Sequence, residues 1–268
     1  MRHGITLFVR TVSLLFLIFA ANASADALDD ILERGKLRVG VSLFVPWVME
    51  DKAGGLAGFE IEVARKLAQD MGVEPEFKVY VWEEIIAGLR AGEIDVIVSG
   101  MAITPSRALR LNFTNAYVES GIGLATHTGL TQQIGQLREL NAAGVTVVTV
   151  ADTLGFDVAS LVFDKAEVRA VATSEEAEKL ILEGQAHAYV ASVVETNFLA
   201  LGHPDVVDAP LSRPLLVSVA GMGVRKGEQE LLNFLNAWIA SRTADKWLSA
   251  TRKYWFESLD WRDEVVQQ

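Results

Sequence analysis

The stretch GEIDVIVSGMAITPSR, residues 92–107, decides the fold predicted for this chain. Its first half contains an apolar, β-branched run typical of a strand in a parallel sheet covered on both faces: Ile94, Val96, Ile97 and Val98. Thr104 suits a helix N-cap, and Pro105 suits the first helical position, where a missing N–H costs nothing. Arg107 falls in that first turn. Free backbone N–H groups and a guanidinium therefore converge on one small volume, a chemistry suited to holding a carboxylate.

The rest of the chain repeats this alternation of strand and helix. Strands are predicted over residues 36–41, 77–81, 94–98, 121–125, 145–150, 168–171, 188–191 and 215–224. Helices are predicted over residues 63–71, 82–89, 132–140, 153–163, 174–183 and 228–241. Two similar units follow each other, so the fold class is α/β with largely parallel sheets.

Composition and charge limit the cellular compartments and the classes of partner that fit this chain. The 268 residues are 50% hydrophobic, enough for the core of one large domain or two small ones. Residues 1–25 read as a signal peptide, with a basic start, an apolar run over 12–21 and a cleavage site after Ala25. Cleavage changes the net charge from -11 to -13, which argues against nucleic acid and anionic membranes. Without cysteine the chain has no disulfide and no lipid anchor, and the predicted location is the periplasm.

The sequence lacks the motifs of common enzymes and of cofactor sites. It has no G-x-S-x-G elbow and no cysteine nucleophile. His127, His187 and His203 are isolated, without the spacing of metal ligands. The run Gly221-Met222-Gly223 lacks the third glycine of a dinucleotide fingerprint. We therefore expect neither a metal nor a nucleotide cofactor.

The candidate binding residues each have a plainer interpretation. Arg107 is equally compatible with an exposed helix arginine paired to a nearby acid. Phe44, Trp47 and Trp82 lie at strand-to-helix junctions, where clefts form in open α/β sheets, but core packing is the alternative and is favoured for Trp47. Gly100 is a turn glycine whose small size lets backbone approach a ligand.

Taken in order, these motifs resemble those of the family 3 solute-binding proteins, the periplasmic polar-amino-acid receptors of ABC transporters. The likeness covers nearly the whole chain after the signal peptide. It is carried by Gly58-Phe59-Glu60-Ile61-Glu62, the segment 82–89, Ile94-Asp95-Val96, and residues 100–107 followed by Asn112-Phe113-Thr114 and Tyr117.

The resemblance implies a two-lobed periplasmic-binding-protein fold of type II, with two open sheets, flanking helices and two crossover strands. The crossovers are expected near Gly123–Thr128 and Leu216–Gly221. Lobe 1 would then be discontinuous, comprising residues 26–124 and 220–268, and lobe 2 would comprise residues 125–219. We expect a monomer that closes over its ligand.

The resemblance also implies roles for lobe 1 residues. The arginine matching Arg107 grips the ligand α-carboxylate, helped by backbone and hydroxyl groups near Gly100 and Thr104. Aromatic residues matching Phe44 and Trp82 sandwich the ligand side chain.

Lobe 2 is expected to contribute Asp152, Thr153 and Ser192, and here the chain departs from the family. Ser192 stands where the family carries the aspartate that binds the amino group, and a hydroxyl cannot offset a buried ammonium as a carboxylate does. Asp152 replaces a usual glycine, and Ala102 replaces a usual hydroxyl residue. Either Glu195 or Asp152 takes the missing role, or the ligand is an organic acid, a modified amino acid or a cationic compound.

The function implied is a receptor that hands an amino acid or related small carboxylate to an ABC permease in the inner membrane, without being an enzyme. One alternative is a cyclohexadienyl dehydratase-like enzyme with Glu195 as general acid, although Glu195 also fits an exposed helix carboxylate. Another is a sensor that passes its closed state to a signalling protein.

Overall fold

The structure, a computed structural model, describes residues 27–257 together with Trp261 and Val265. The predicted signal peptide lies outside the described residues. The strands are β1 (Lys36–Val41), β2 (Met49–Glu50), β3 (Leu56–Ala57), β4 (Glu74–Val79), β5 (Val96–Ile97), β6 (Asn112–Phe113), β7 (Val118–His127), β8 (Thr146–Val150), β9 (Glu167–Val171), β10 (Ala188–Ser192), β11 (Val207–Asp208), β12 (Leu216–Ala220) and β13 (Gly223–Val224).

Ten α-helices accompany these strands in the described part of the chain. They are α1 (Ala27–Arg34), α2 (Phe59–Met71), α3 (Ile85–Arg90), α4 (Pro105–Ala108), α5 (Thr128–Thr131), α6 (Leu154–Val162), α7 (Ser174–Leu182), α8 (Val193–Gly202), α9 (Gln229–Ala244) and α10 (Trp247–Glu257). Short 3-10 turns cover Trp82–Glu84 and Leu137–Leu140. Across the described ranges, every helix is too short or too polar to span a bilayer.

The first sheet has the strand order β4-β1-β5-β13-β6 and forms the centre of lobe 1. β1 pairs in parallel with β4 and β5, and β13 runs antiparallel to β5 and β6. All four apolar residues of the predicted strand over 94–98 are fully buried, although only Val96–Ile97 form regular ladder pairs. The predicted buried strand is therefore confirmed, with a shorter ladder.

The second sheet has the order β11-β7-β10-β8-β9, with β12 also paired to β7, and forms the centre of lobe 2. β8 pairs in parallel with β9 and β10. The long strand β7 pairs with β12 through its first half and with β10 through its second half. β7 and β12 are thus the two crossover strands, and the predicted two-lobed α/β architecture is confirmed.

The C-terminal helices pack on lobe 1. Apolar residues of α9 and α10 share one core with β1 and α2. The indole of Trp255 donates to Glu62 (2.6 Å), and that of Trp238 donates to Asp70 (2.9 Å). The predicted lobe boundaries at residues 124 and 220 remain predictions, but these contacts agree with a chain that returns to its first lobe.

Two predicted elements are wrong. Residues 132–140 do not form one helix, because Gly135 weakens its middle and Gln136 adopts an extended conformation (φ -143°, ψ 144°) before the 3-10 turn. The strand predicted over 215–224 is divided between the lobes, since β12 lies in the second sheet and β13 in the first. Periodicity alone cannot reveal that an extended run changes sheets.

We expect Asp95→Ala to lower the free energy of unfolding by about 3 kcal/mol, because it removes a buried carboxylate that accepts charge-assisted hydrogen bonds from two partly exposed guanidinium groups. Asp95 is 2% exposed and accepts from the Arg38 backbone N–H (2.9 Å) and from the guanidinium groups of Arg38 and Arg34 (both 2.6 Å). Urea denaturation measures the change. Glu76→Ala is the matched control, since the Lys36–Glu76 pair is more than half exposed and should contribute less than about 0.5 kcal/mol. Equal losses in both variants would contradict this account.

Candidate ligand site between the lobes

A cavity of about 370 Å³ lies between the two lobes. This is within the range of small-molecule sites. The predicted site residues that line it are Phe44, Trp82, Gly100, Ala102, Arg107, Thr153, Ser192 and Glu195. Thr104 and Asp152 are not part of the lining, although each supports a residue that is. The structure thus brings eight of the ten predicted residues to one enclosed volume.

Arg107 reaches the cavity from the first turn of α4. Thr104 caps this helix, and its hydroxyl accepts from the Arg107 backbone N–H (3.3 Å). The guanidinium donates to the carbonyls of Ala102 and Asp152, each at 3.0 Å, and lies 5.3 Å from the centre of the Trp82 ring. Arg107 is only 9% exposed, so the alternative of an exposed helix arginine is wrong.

The charge of Arg107 remains available to a ligand. Both of its hydrogen-bond acceptors are neutral carbonyl oxygens. Burial lowers the pKa of the guanidinium, and the more distant carboxylates of Asp157 and Asp152 oppose that shift. Because an arginine stays protonated in proteins, the cavity contains a desolvated positive charge.

Gly100 forms the turn beneath this guanidinium, and the turn requires glycine. Its φ is +58°, and a Cβ would lie 3.0 Å from Phe44 Cζ and 3.1 Å from Trp47 Cε3. Its backbone N–H donates to the carboxylate of Glu60 at 2.6 Å. A larger residue would push the aromatic wall into the cavity.

Glu60 anchors the turn from inside lobe 1. It is fully buried, and its two carboxylate oxygens lie 2.8 and 2.7 Å from the Tyr117 hydroxyl. Burial raises the pKa of Glu60 to about 8, although hydrogen bonds from Tyr117 and Gly100 oppose the shift. Glu60 and Tyr117, two residues of the family motif, therefore support the site by holding the Gly100 turn in place.

The aromatic residues form a corner. The Phe44 and Trp82 rings meet edge to face, with centroids 6.3 Å apart and planes at 79°. Trp47 stacks on Phe44 at 5.7 Å and is 1% exposed, so the preference for core packing is correct, although Trp47 also borders the cavity. The Phe44 and Trp82 rings are therefore not parallel to each other, as two rings that sandwich a side chain would be.

Asp152 and Thr153 begin helix α6 on the other lobe. Asp152 has φ +55°, a left-handed conformation that favours glycine, and its side chain is exposed. Its carbonyl accepts from Trp82 Nε1 as well as from Arg107, each at 3.0 Å, so one oxygen joins the lobes. The Thr153 hydroxyl is occupied, because it accepts from the Phe156 N–H (3.1 Å) and donates to the Val150 carbonyl (2.7 Å).

Ser192 caps the start of α8, where its hydroxyl accepts from the Glu195 N–H (3.1 Å). Tyr189 donates to the Glu195 carboxylate. Glu195 is 5% exposed, so the alternative of an exposed helix carboxylate is wrong. Burial raises the pKa of this carboxyl group.

The sequence analysis missed part of the lobe 2 wall. Glu178, Tyr189 and Ser174 also line the cavity, and Glu175 lies at its exposed rim. Burial, with repulsion from Glu195 and Glu175, raises the pKa of Glu178 to about 8. A carboxylate beside the apolar positions of an amphipathic helix was the signal that could have identified Glu178.

Comparisons with known proteins place this site in a family. The family model described as bacterial extracellular solute-binding proteins, family 3, matches residues 37–258. The L-cystine-binding protein TcyJ of Escherichia coli K12 is 26% identical over 87% of each chain. The cyclohexadienyl dehydratase of Pseudomonas aeruginosa is 21% identical over 93% of this chain and 94% of its own.

The fold has close counterparts among solved structures. A binding component of an ABC transporter from Wolinella succinogenes DSM 1740, solved with lysine, has a TM-score of 0.81 and 29% identity, over 86% of this chain and 100% of that one. The predicted type II periplasmic-binding-protein fold is confirmed. The chain belongs to the bacterial extracellular solute-binding proteins of family 3.

Proposed function

We propose that this protein is the periplasmic receptor of an ABC importer and that it binds an amino acid or a related small carboxylate between its lobes. The observation that carries the proposal is the guanidinium of Arg107, which is buried against an enclosed cavity and bonded only to carbonyls among the contacts above. A charge in that position lacks a counterion, and a ligand carboxylate would supply one.

The carboxylate would be held from both lobes. Arg107 offers a planar set of donors that matches a carboxylate in bidentate geometry, which lysine cannot reproduce. The N-terminus of α6 faces it through Thr153, Leu154 and Gly155, all in the lining. Its free N–H groups and positive dipole end favour an anion there. Thr104 and Gly100 would act by fixing these donors.

The rest of the ligand would face the aromatic corner and lobe 2. Phe44 and Trp82 would contact its apolar part. Glu195 is the candidate partner for an amino group, since Glu195 lines the cavity while the Asp152 side chain is exposed. Ser192 would act by capping α8 and orienting Glu195. The relatives named for cystine binding and solved with lysine support an amino-acid ligand.

Binding would be read out as closure of the lobes about β7 and β12. A ligand held by both lobes shifts a hinge equilibrium toward the closed form, which a membrane permease then recognises. The proposal also includes export by a signal peptide cleaved near Ala25, a monomeric state, and lobe boundaries at residues 124 and 220.

We expect Arg107→Lys to weaken binding of an amino-acid ligand by at least about tenfold and Arg107→Ala to abolish it in calorimetry. The reason is the loss of the bidentate fork in the first variant and of the charge in the second. The control is Arg138→Ala, which changes a lobe 2 arginine that is not part of the cavity lining. Wild-type affinity in Arg107→Ala would exclude this role.

We expect Trp82→Phe to shift the ligand-free protein toward the open form. The variant keeps an aromatic surface but removes the Nε1 donor that reaches the Asp152 carbonyl across the cleft. Small-angle X-ray scattering should show a larger radius of gyration without ligand, and saturating ligand should restore the closed value. Trp247→Phe, on the outer helix α10, is the control. An unchanged radius in Trp82→Phe would show that this bond does not hold the lobes together.

A dehydratase is the second candidate, because Glu195 is a buried acid in the cavity and a dehydratase is among the relatives. Glu195 would give its proton to the hydroxyl of prephenate or arogenate, and this group would leave as water. The ring carboxylate would leave as CO₂, and the electrons of the broken carbon–carbon bond would complete the aromatic ring. The lining disfavours this reaction, since prephenate is a dianion and Arg107 is the one arginine or lysine among the described residues that line the cavity.

We therefore expect no phenylpyruvate from prephenate and no phenylalanine from arogenate above the uncatalysed rate. Chromatography of the incubated mixtures measures both products. Turnover that disappears in Glu195→Gln would establish the enzyme instead.

A further inference from the structure

One wall of the cavity is acidic. Glu178 on α7 and Glu195 on α8 both line it. Glu195 raises the pKa of Glu178, and both carboxyl groups raise the pKa of Tyr189. Glu175 borders the same wall at the rim. Arg107 lies on the opposite side of the cavity, in lobe 1. The cavity is therefore polarised between a single cation and a group of carboxylates.

The protein supplies no cation to this wall. None of the ion pairs formed within the described ranges includes Glu175, Glu178 or Glu195. Lys179, the basic residue next to Glu178, pairs with Glu183 instead. Tyr189 gives Glu195 a hydrogen bond but no positive charge. Carboxylates removed from water without a counterion are costly, and this burial raises the pKa of Glu178 to about 8 and that of Glu195 above its ordinary value.

Other polar atoms of the lining are also incomplete. Trp47 Nε1 and Ser120 Oγ are buried without a hydrogen-bond partner in the described structure, and both residues border the cavity. Trp47 is 1% exposed. Such orphaned donors indicate that the lining is completed by something that the chain does not provide.

We propose that Glu178 and Glu195 form a subsite for two cationic groups, so that the ligand is a basic amino acid, with one carboxylate, an α-ammonium and a charged end. This rests on the proposed function, because it assumes that Arg107 holds the carboxylate. Glu195, fixed by Ser192 at the end of β10, would receive the α-ammonium. Glu178, on the preceding helix α7, would receive the charged end of the ligand and would be the specificity-determining residue.

Charge balance selects this class of ligand. A neutral amino acid cancels Arg107 and one glutamate, which leaves the second buried glutamate without a partner. A basic amino acid adds one more positive charge and cancels it. A divalent metal is the other way to neutralise carboxylates, but no group of three acidic or histidine side chains in the described ranges could hold one. The wall therefore fits an organic cation.

The test compares ligands that differ only in the distal charge. Calorimetry on the mature protein measures L-arginine against L-citrulline and L-lysine against L-norleucine. We expect each cation to bind at least tenfold more tightly than its neutral partner.

The carboxyl groups must ionise to receive a cation, so the affinity for arginine should rise between about pH 6 and pH 8. Binding should also release protons, which calorimetry measures as a heat that depends on the buffer. The groups facing Glu178 in this titration are Glu175, Glu195 and Tyr189.

A pair of variants assigns the charge to Glu178. Glu178→Gln should lower affinity for arginine and lysine at least tenfold while leaving that for citrulline within about threefold. Glu183→Gln, the same change at the exposed end of the same helix, should leave all four affinities unchanged. Circular dichroism and melting curves verify that both variants fold.

The outcomes separate the two proposals. If citrulline and norleucine bind as tightly as arginine and lysine, or Glu178→Gln loses all ligands equally, the basic-ligand proposal is overturned while the amino-acid receptor remains. If none of the four ligands binds, and a wider set of amino acids also fails to raise the melting temperature, the receptor proposal is overturned as well.

Discussion

The guanidinium of Arg107 joins the two lobes, and the site depends on that contact. It donates to the Ala102 carbonyl in its own lobe and to the Asp152 carbonyl in the other. Its position follows from local chemistry: Thr104 caps α4, Pro105 starts it, and the Gly100 turn below is fixed by Glu60. Each of these features serves to hold one charged group, desolvated, against an enclosed cavity. A protein that buries a charge in this way needs an anion or a second polar surface to face it.

Lobe 2 provides that second surface. The resemblance to family 3 matched Ser192 to the family's aspartate, and Glu195, three residues later, is a carboxyl group that lines the cavity. Ser192 caps the helix that carries Glu195, since its hydroxyl accepts from the Glu195 N–H. Lobe 2 therefore has a carboxyl group in the cavity wall close to the end of β10.

The sequence predicted the fold well and the site in part. The buried strand over 94–98 and the helix cap at Thr104 follow from local patterns that tertiary structure does not override, whereas the two crossover strands were implied only by the resemblance to family 3. The division of 215–224 between two sheets, and the role of the Asp152 carbonyl, depend on partners far along the chain, which periodicity does not contain. Glu178 was missed for a related reason: a glutamate on a helix is ordinarily exposed, and only the packing of α7 against the cleft makes it part of a wall.

The contact between the lobes does not compete with a ligand. A guanidinium has five N–H donors, and the two carbonyl bonds of Arg107 leave donors for a carboxylate. Trp82 likewise keeps its ring surface in the cavity while its Nε1 reaches Asp152. Under the proposed function, ligand contacts would add to the closing contacts, since each lobe-bridging bond stabilises the closed form alone. The two bonds that cross between the lobes, from Arg107 and Trp82 to the Asp152 carbonyl, contribute only about 1–3 kcal/mol each. This preference for the closed form is small enough for a ligand to control.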